Sequence, residues 1–96
     1  MREIGKIIYV AAPKEGESKR TKGKWQSVDF VIETDERYPR KVKFTLFGAE
    51  RIMKADLAVG KKIEVDAFVE AHEYQGNWYN EVRVWKIIVN GNDILE

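Results

Sequence analysis

The chain has no cysteine, one histidine and two prolines in 96 residues, and each scarcity closes off a class of function. Without thiols there is no disulfide and no thiolate metal site, so stability rests on packing, and a reducing cytoplasm is the expected location. A lone His72 cannot assemble a zinc site; its expected role is an edge or loop hydrogen bond. No apolar run reaches the roughly eighteen residues that a membrane helix needs. The opening "MREIGKIIYV" carries Glu3 and lacks a long apolar stretch with a small-residue cleavage site, so it does not read as a secretion signal. Glycine-rich phosphate loops, a GxSxG elbow and a nucleophile–base pair are all missing. No enzyme, cofactor or metal is expected.

What remains is an ordinary globular composition, 44% hydrophobic and 34% charged, at a length that suits one domain spanning residues 1–96. The net charge of +1 hides an asymmetry. Residues 1–43 hold eleven Lys/Arg against seven Asp/Glu, whereas residues 44–96 hold six against nine. The basic half includes "ESKRTKGKW", residues 17–25, in which Lys19, Arg20, Lys22 and Lys24 lead into Trp25. A basic cluster beside an aromatic suits a polyanion, while an evenly solvated loop is the plainer reading.

Hydrophobic periodicity is two along most of the chain, which predicts strands at about 3–11, 24–34, 40–48, 61–72 and 79–89. Val28, Phe30 and Ile32 share one face of the second strand, and Val42, Phe44 and Leu46 one face of the third. Ile63, Val65, Ala67 and Val69 are expected to face inward on the fourth. Only "AERIMKADL", residues 49–57, has helical spacing. Residues 12–23 read as a polar loop and the end of the chain as a short polar tail. Five strands with one short helix between the third and fourth predict an all-β, partly open Greek-key barrel, the OB-fold. The strand count alone also fits an SH3-like barrel, but the helix position and the long first loop favour the OB-fold.

Register follows from side-chain chemistry. With "TDERY" as the connection, Glu33 opposes Pro39, Val28 faces Phe44, Asp29 faces Lys43, Val31 faces Lys41 and Trp25 faces Phe47, a slip by two residues being the alternative. This sets an outward Trp25–Phe47 pair beside Lys24, Lys41 and Lys43. For the last hairpin a two-residue "QG" turn would oppose Glu70 to Glu81. A four-residue "QGNW" loop instead pairs Glu70 with Arg83, His72 with Glu81, Phe68 with Trp85 and Tyr74 with Tyr79, and electrostatics favours it. Trp78 is then expected at or near the loop tip. Bare rings next to cations suit single-stranded nucleic acid, because bases stack on the rings while cations track phosphates. The alternative is that the same rings form a contact with a partner or a second subunit. The acids Glu64, Asp66, Glu70 and Glu73 read as a solvated strand far more readily than as a nuclease site.

The order of motifs resembles the single-stranded DNA-binding protein family. "DFVIET", "KFTLFGAERIM", "LAVGKKIEVDAFVEA" and "GNWYNEVRVWKI" resemble its core strands, and shorter bacterial and phage proteins of this OB type share "GKI", "FVIET" and "YP" followed by a basic residue. The resemblance covers residues 3–88. It implies that Phe47 stacks a base, that Tyr74 or Trp78 supplies the aromatic of the last hairpin, and that Lys41 replaces a tryptophan. The short connection after Thr34 and the "NDILE" ending depart from the housekeeping members, so a phage, plasmid or accessory binder is expected. Together these readings nominate Trp25, Phe47, Trp78, Tyr74 and Trp85 for stacking. Lys19, Arg20, Lys22, Lys24, Arg40, Lys41 and Lys43 are nominated for phosphate. The expected partners are single-stranded DNA or RNA and further copies of the chain, as a dimer or tetramer.

Overall fold

The computed structural model describes residues 1–17 and 23–95. Its elements are β1 (Arg2–Val10), β2 (Lys14–Glu17), β3 (Lys24–Thr34), β4 (Lys41–Phe47), α1 (Ala49–Ala55), β5 (Lys62–Tyr74), β6 (Asn77–Val89) and β7 (Asn92–Asp93). The five long strands run in the order β1-β5-β6-β4-β3, and β1 returns to pair with β3, so the sheet curls back on itself. With the helix between β4 and β5, this is the OB-fold. Short β2 and β7 are additions; the first lies within the stretch read as loop, the second within the polar tail.

Alternation puts the expected residues inside. Phe30 and Phe44 face each other across β3 and β4, both fully buried, with ring centroids 5.6 Å apart. Ile7, Ile32, Leu46, Val65 and Ile87 complete the centre of the core. Curling depends on Gly5, which pairs with Thr34 on one side and with Ile63 on the other. A Cβ there would stand 2.2 Å from the Glu33 carbonyl oxygen, so only glycine lets β1 pass so close to β3.

The β3–β4 register differs from the expected one. Ser27, not Trp25, stands opposite Phe47; Val28 faces Leu46, Asp29 faces Thr45, Val31 faces Lys43 and Glu33 faces Lys41. The reason lies at the turn. Pro39 has no N–H to give a ladder, whereas Arg40 next to it does. The Arg40 N–H donates to Thr34 Oγ1 at 2.8 Å, and the Thr34 N–H donates to the Arg40 carbonyl at 2.8 Å. Face parity survives the slip, because it is a shift of an even number of residues.

The β5–β6 hairpin also departs from expectation. It closes through the two-residue turn Gln75-Gly76, both with positive φ (51° and 80°), and Glu70 does stand opposite Glu81. Two left-handed positions suit the right-handed twist of a hairpin. The like charges are relieved diagonally by Arg83, whose Nη1 lies 3.4 Å from Glu70. His72 faces Tyr79, Tyr74 faces Asn77 and Phe68 faces Arg83. Trp78 is therefore near the tip, one pair in from the turn and opposite Glu73 within the ladder. Val69 is 57% exposed rather than inward, because the hairpin has left the core by that point.

Asn90-Gly91 makes a second tight turn of the same kind, with φ of 53° and 80°. It folds β7 onto β6 and returns Leu95 to the core, where it is 8% exposed. Between β4 and β6 the ladder is reduced to one parallel bridge, Thr45 to Arg83. Arg51 of α1 spans that seam, donating to the carbonyl of Trp85 at 2.8 Å, of Val84 at 3.3 Å and of Phe47 at 3.5 Å. Among the described residues no helix is long and apolar enough to cross a membrane.

Candidate functional site

Beyond the Thr45–Arg83 bridge, β4 and the β5–β6 hairpin diverge. The gap is an open groove of about 570 Å³ whose floor is the outward face of β3 and β4. Strand alternation supplies its chemistry. Trp25, Ser27 and Asp29 come from β3, Lys43, Thr45 and Phe47 from β4, and His72, Tyr79 and Glu81 from the hairpin wall, with Lys14 of β2 on the rim.

Trp25 and Phe47 are diagonal rather than direct neighbours, with ring centroids 6.5 Å apart and planes at 53°. The indole is 42% exposed and rests on the backbone of Gly16, its cross-strand partner in β2. A Cβ on Gly16 would stand 2.7 Å from the indole Cζ2, so β2 supports the ring from one side. Phe47 is half-buried, and the Arg83 guanidinium lies 4.1 Å from its centroid. Tyr79 is 48% exposed and lies 6.0 Å from the His72 ring. At the floor, Thr45 Oγ1 donates to Asp29 Oδ1 at 2.7 Å, and Lys14 Nζ stands 3.7 Å from Asp29 Oδ2.

Of the nominated aromatics, the groove brings together Trp25 and Phe47. Tyr74 shares the groove-side parity of His72 but sits at the far end of the hairpin. Trp78, 69% exposed, alternates with Tyr79 and so occupies the opposite face of the hairpin, with Val69 and Ala71. Trp85 is the extra residue where the β5–β6 register shifts; its ring is half exposed, with Lys86 Nζ 5.8 Å from its centroid. Of the nominated cations, Lys43 lines the groove. Lys24 is exposed beside Glu17, and Lys41 is exposed beside Glu33. Arg40 is occupied elsewhere: Nη2 lies 2.9 Å from both carboxylate oxygens of Glu3 and 3.0 Å from Glu36 Oε1. Lys19, Arg20 and Lys22 lie outside the described residues.

Lys14, Asp29 and Tyr79 line the groove and Arg83 lies over Phe47, and none of the four is among the residues the sequence nominates. Lys14 was hidden in a stretch read as loop. Arg83 and Tyr79 required the hairpin register, which the glycine of "QG" encodes. The acids noted on β5 form no joint site: Asp66 pairs with Arg2 at 3.5 Å and Glu70 with Arg83. Among the described residues no group of three His, Asp or Glu side chains could hold a metal ion.

Two solved structures share the architecture. The mitochondrial single-stranded DNA-binding protein Rim1 of S. cerevisiae superposes with a TM-score of 0.63 at 16% identity, over 96% of this chain and 95% of that one. The SSB domain of a Synechococcus sp. protein superposes with a TM-score of 0.58 at 10% identity, over 91% and 90%. Identities this low carry the fold. No curated protein sequence matches the chain. The model of a domain of unknown function, DUF3127, matches residues 3–88, nearly the whole length, and the chain belongs to that family.

Proposed function

We propose that the protein binds single-stranded nucleic acid, DNA in the first instance, by stacking bases in the groove and holding phosphates at its rim. The observation that carries this reading is the placement of Trp25, Phe47 and Tyr79 around one open groove with Lys14 and Lys43 at its edge. Stacking is tolerant of sequence because every base has a π-face, and each stacked base contributes about 1–3 kcal/mol. Lys24 and Lys41 extend the cationic rim, and Lys19, Arg20 and Lys22 precede Trp25 in the chain. Arg40 is left out of the phosphate set, since three carboxylate oxygens within 3.0 Å already engage it.

A mixed-sequence single-stranded oligonucleotide titrated into the protein should quench tryptophan emission. Log affinity should fall with log salt at about −0.7 per phosphate contacted. An unchanged emission at low salt, with no retention of the oligonucleotide, would remove this reading.

A second reading has its own observation. Trp78 and Val69 are exposed on the hairpin face turned away from the groove, and Phe68 and Trp85 are also exposed. Such rings suit a contact between copies of the chain, as a dimer or tetramer, and this contact is compatible with a free groove. Sedimentation of wild type against Trp78→Ser tests it: the variant should shift to smaller species.

A further inference from the structure

The groove floor holds a carboxylate where a polyanion-binding site has least use for one. Asp29 sits on the outward face of β3, opposite Thr45, in the same groove lining as Trp25, Phe47 and the wall residue Tyr79. Its side chain is 21% exposed, and the Thr45 hydroxyl proton is committed to its Oδ1 at 2.7 Å. Glu81 adds a second carboxylate from the wall. A phosphate brought against Asp29 and Glu81 would face two like charges, whereas Lys14 and Lys43 offer it cations on the same lining. In the reading proposed above, on which this inference rests, the strand must therefore run with phosphates at the lysine rim and base edges turned inward.

A base edge arriving there meets an acceptor. A carboxylate has about four lone-pair sites and no proton to give, and Thr45 uses one of them. In a single strand the Watson–Crick edges are free to be read. Guanine offers adjacent N1–H and N2–H donors to such a group, and cytosine and adenine offer an amino group. Thymine offers one N3–H flanked by two carbonyl oxygens, which the carboxylate repels. We propose that Asp29 is a base-reading residue whose carboxylate selects bases with an amino donor, guanine foremost, over thymine. Lys14, now 3.7 Å from Asp29 Oδ2, follows the phosphate and frees that oxygen for the base.

The test compares two oligonucleotides, oligo-dT and the same length with its three central thymines replaced by guanine, against wild type, Asp29→Asn and Lys43→Ala. The amide of Asp29→Asn keeps an acceptor for Thr45 but also gains a donor, so it accommodates both bases. Wild type should bind the guanine-bearing strand about tenfold more tightly, the discrimination of one good base contact. Asp29→Asn should bring the ratio to near one, whatever its effect on absolute affinity. Lys43→Ala should weaken both strands and keep the ratio. Equal wild-type affinities, or a preference that persists in Asp29→Asn, would overturn the assignment while leaving nucleic-acid binding intact. Failure of wild type to bind either strand would overturn the binding reading as well.

Discussion

The Arg83 guanidinium covers one face of the Phe47 ring at 4.1 Å, while its Nη1 stands 3.4 Å from Glu70. The pair joins β4 to β6 just where their ladder is reduced to a single bridge. A base stacking on Phe47 must displace the guanidinium or lie on its outer plane, and either route brings a cation next to the incoming strand.

Phe47→Leu, which keeps an apolar side chain and removes the ring, should weaken single-strand binding by about 1–3 kcal/mol. Arg83→Ala should lower the salt slope by about 0.7 if the guanidinium takes up a phosphate. Titrations at three salt concentrations read both effects, and a full-strength binder with an unaltered slope in Arg83→Ala would exclude that role.

Gly16 controls the other ring. A Cβ at Gly16 would stand 2.7 Å from Cζ2 of Trp25, so Gly16→Ala should push the indole off β2. Because β2 is a short edge strand, the stability cost should stay within about 1 kcal/mol. In a background with Trp78→Phe and Trp85→Phe, the Trp25 emission should shift and oligonucleotide affinity should fall. An unmoved emission maximum would show that the ring is not held by this contact.

Much of this architecture was legible in the chain. Phe30, Phe44 and Val65 announce their faces by alternation, and "ERIMKA" announces the only helical spacing, because burial on one side enforces both patterns. Trp25 and Phe47 could be assigned to the outward face even with the register slipped, since an even shift preserves parity. What alternation cannot encode is which residue opposes which. Pro39 lacks an N–H and Gln75-Gly76 takes left-handed φ, and these backbone properties overrode the charge pairing of Glu70 with Arg83. For side chains in water such a pairing is worth little, and a diagonal contact recovers it. Asn90-Gly91 carried a strong hairpin signal inside what looked like a polar tail, and so the burial of Leu95 was missed.

Gly5 should be the least replaceable glycine. Gly5→Ala places a methyl 2.2 Å from the Glu33 carbonyl oxygen, and its nearest contacts are all β3 backbone atoms, with nothing flexible to yield. A loss of about 3 kcal/mol or more is expected, as for overpacking against backbone. Gly76→Ala in the exposed hairpin meets no atom within 4 Å and bears only the strain of its φ of 80°. Its cost should be smaller, about 1 kcal/mol. Chemical denaturation of the two variants decides, and equal losses would contradict the role given to Gly5.

The turn between β3 and β4 adds a small, acid-sensitive contribution to stability. A hydrogen bond from Arg40 holds the Glu36 carboxyl below its ordinary 4.5, and one from Lys62 holds Asp35 below its ordinary 3.8. Arg40 is itself pushed further up by Glu36 and then Glu3, so it stays charged throughout. Groups with lowered folded values stabilise fully above their unfolded values and lose that contribution as pH falls through the folded ones. Thermal midpoints should therefore decline below pH 4.5, first through Glu36 and then, below 3.8, through Asp35. Glu36→Gln together with Asp35→Asn should flatten the decline, and high salt should do so in part. A profile in the double variant that matches wild type would place the acid sensitivity elsewhere.

The most direct measurement is a titration of the protein carrying Trp25 as its only tryptophan, with Trp78→Phe and Trp85→Phe, against a mixed-sequence single strand. Trp25 emission should be quenched on binding, the affinity should fall steadily with salt, and Lys43→Ala should weaken it. Binding that leaves Trp25 emission unchanged, or no binding at low salt, would contradict it.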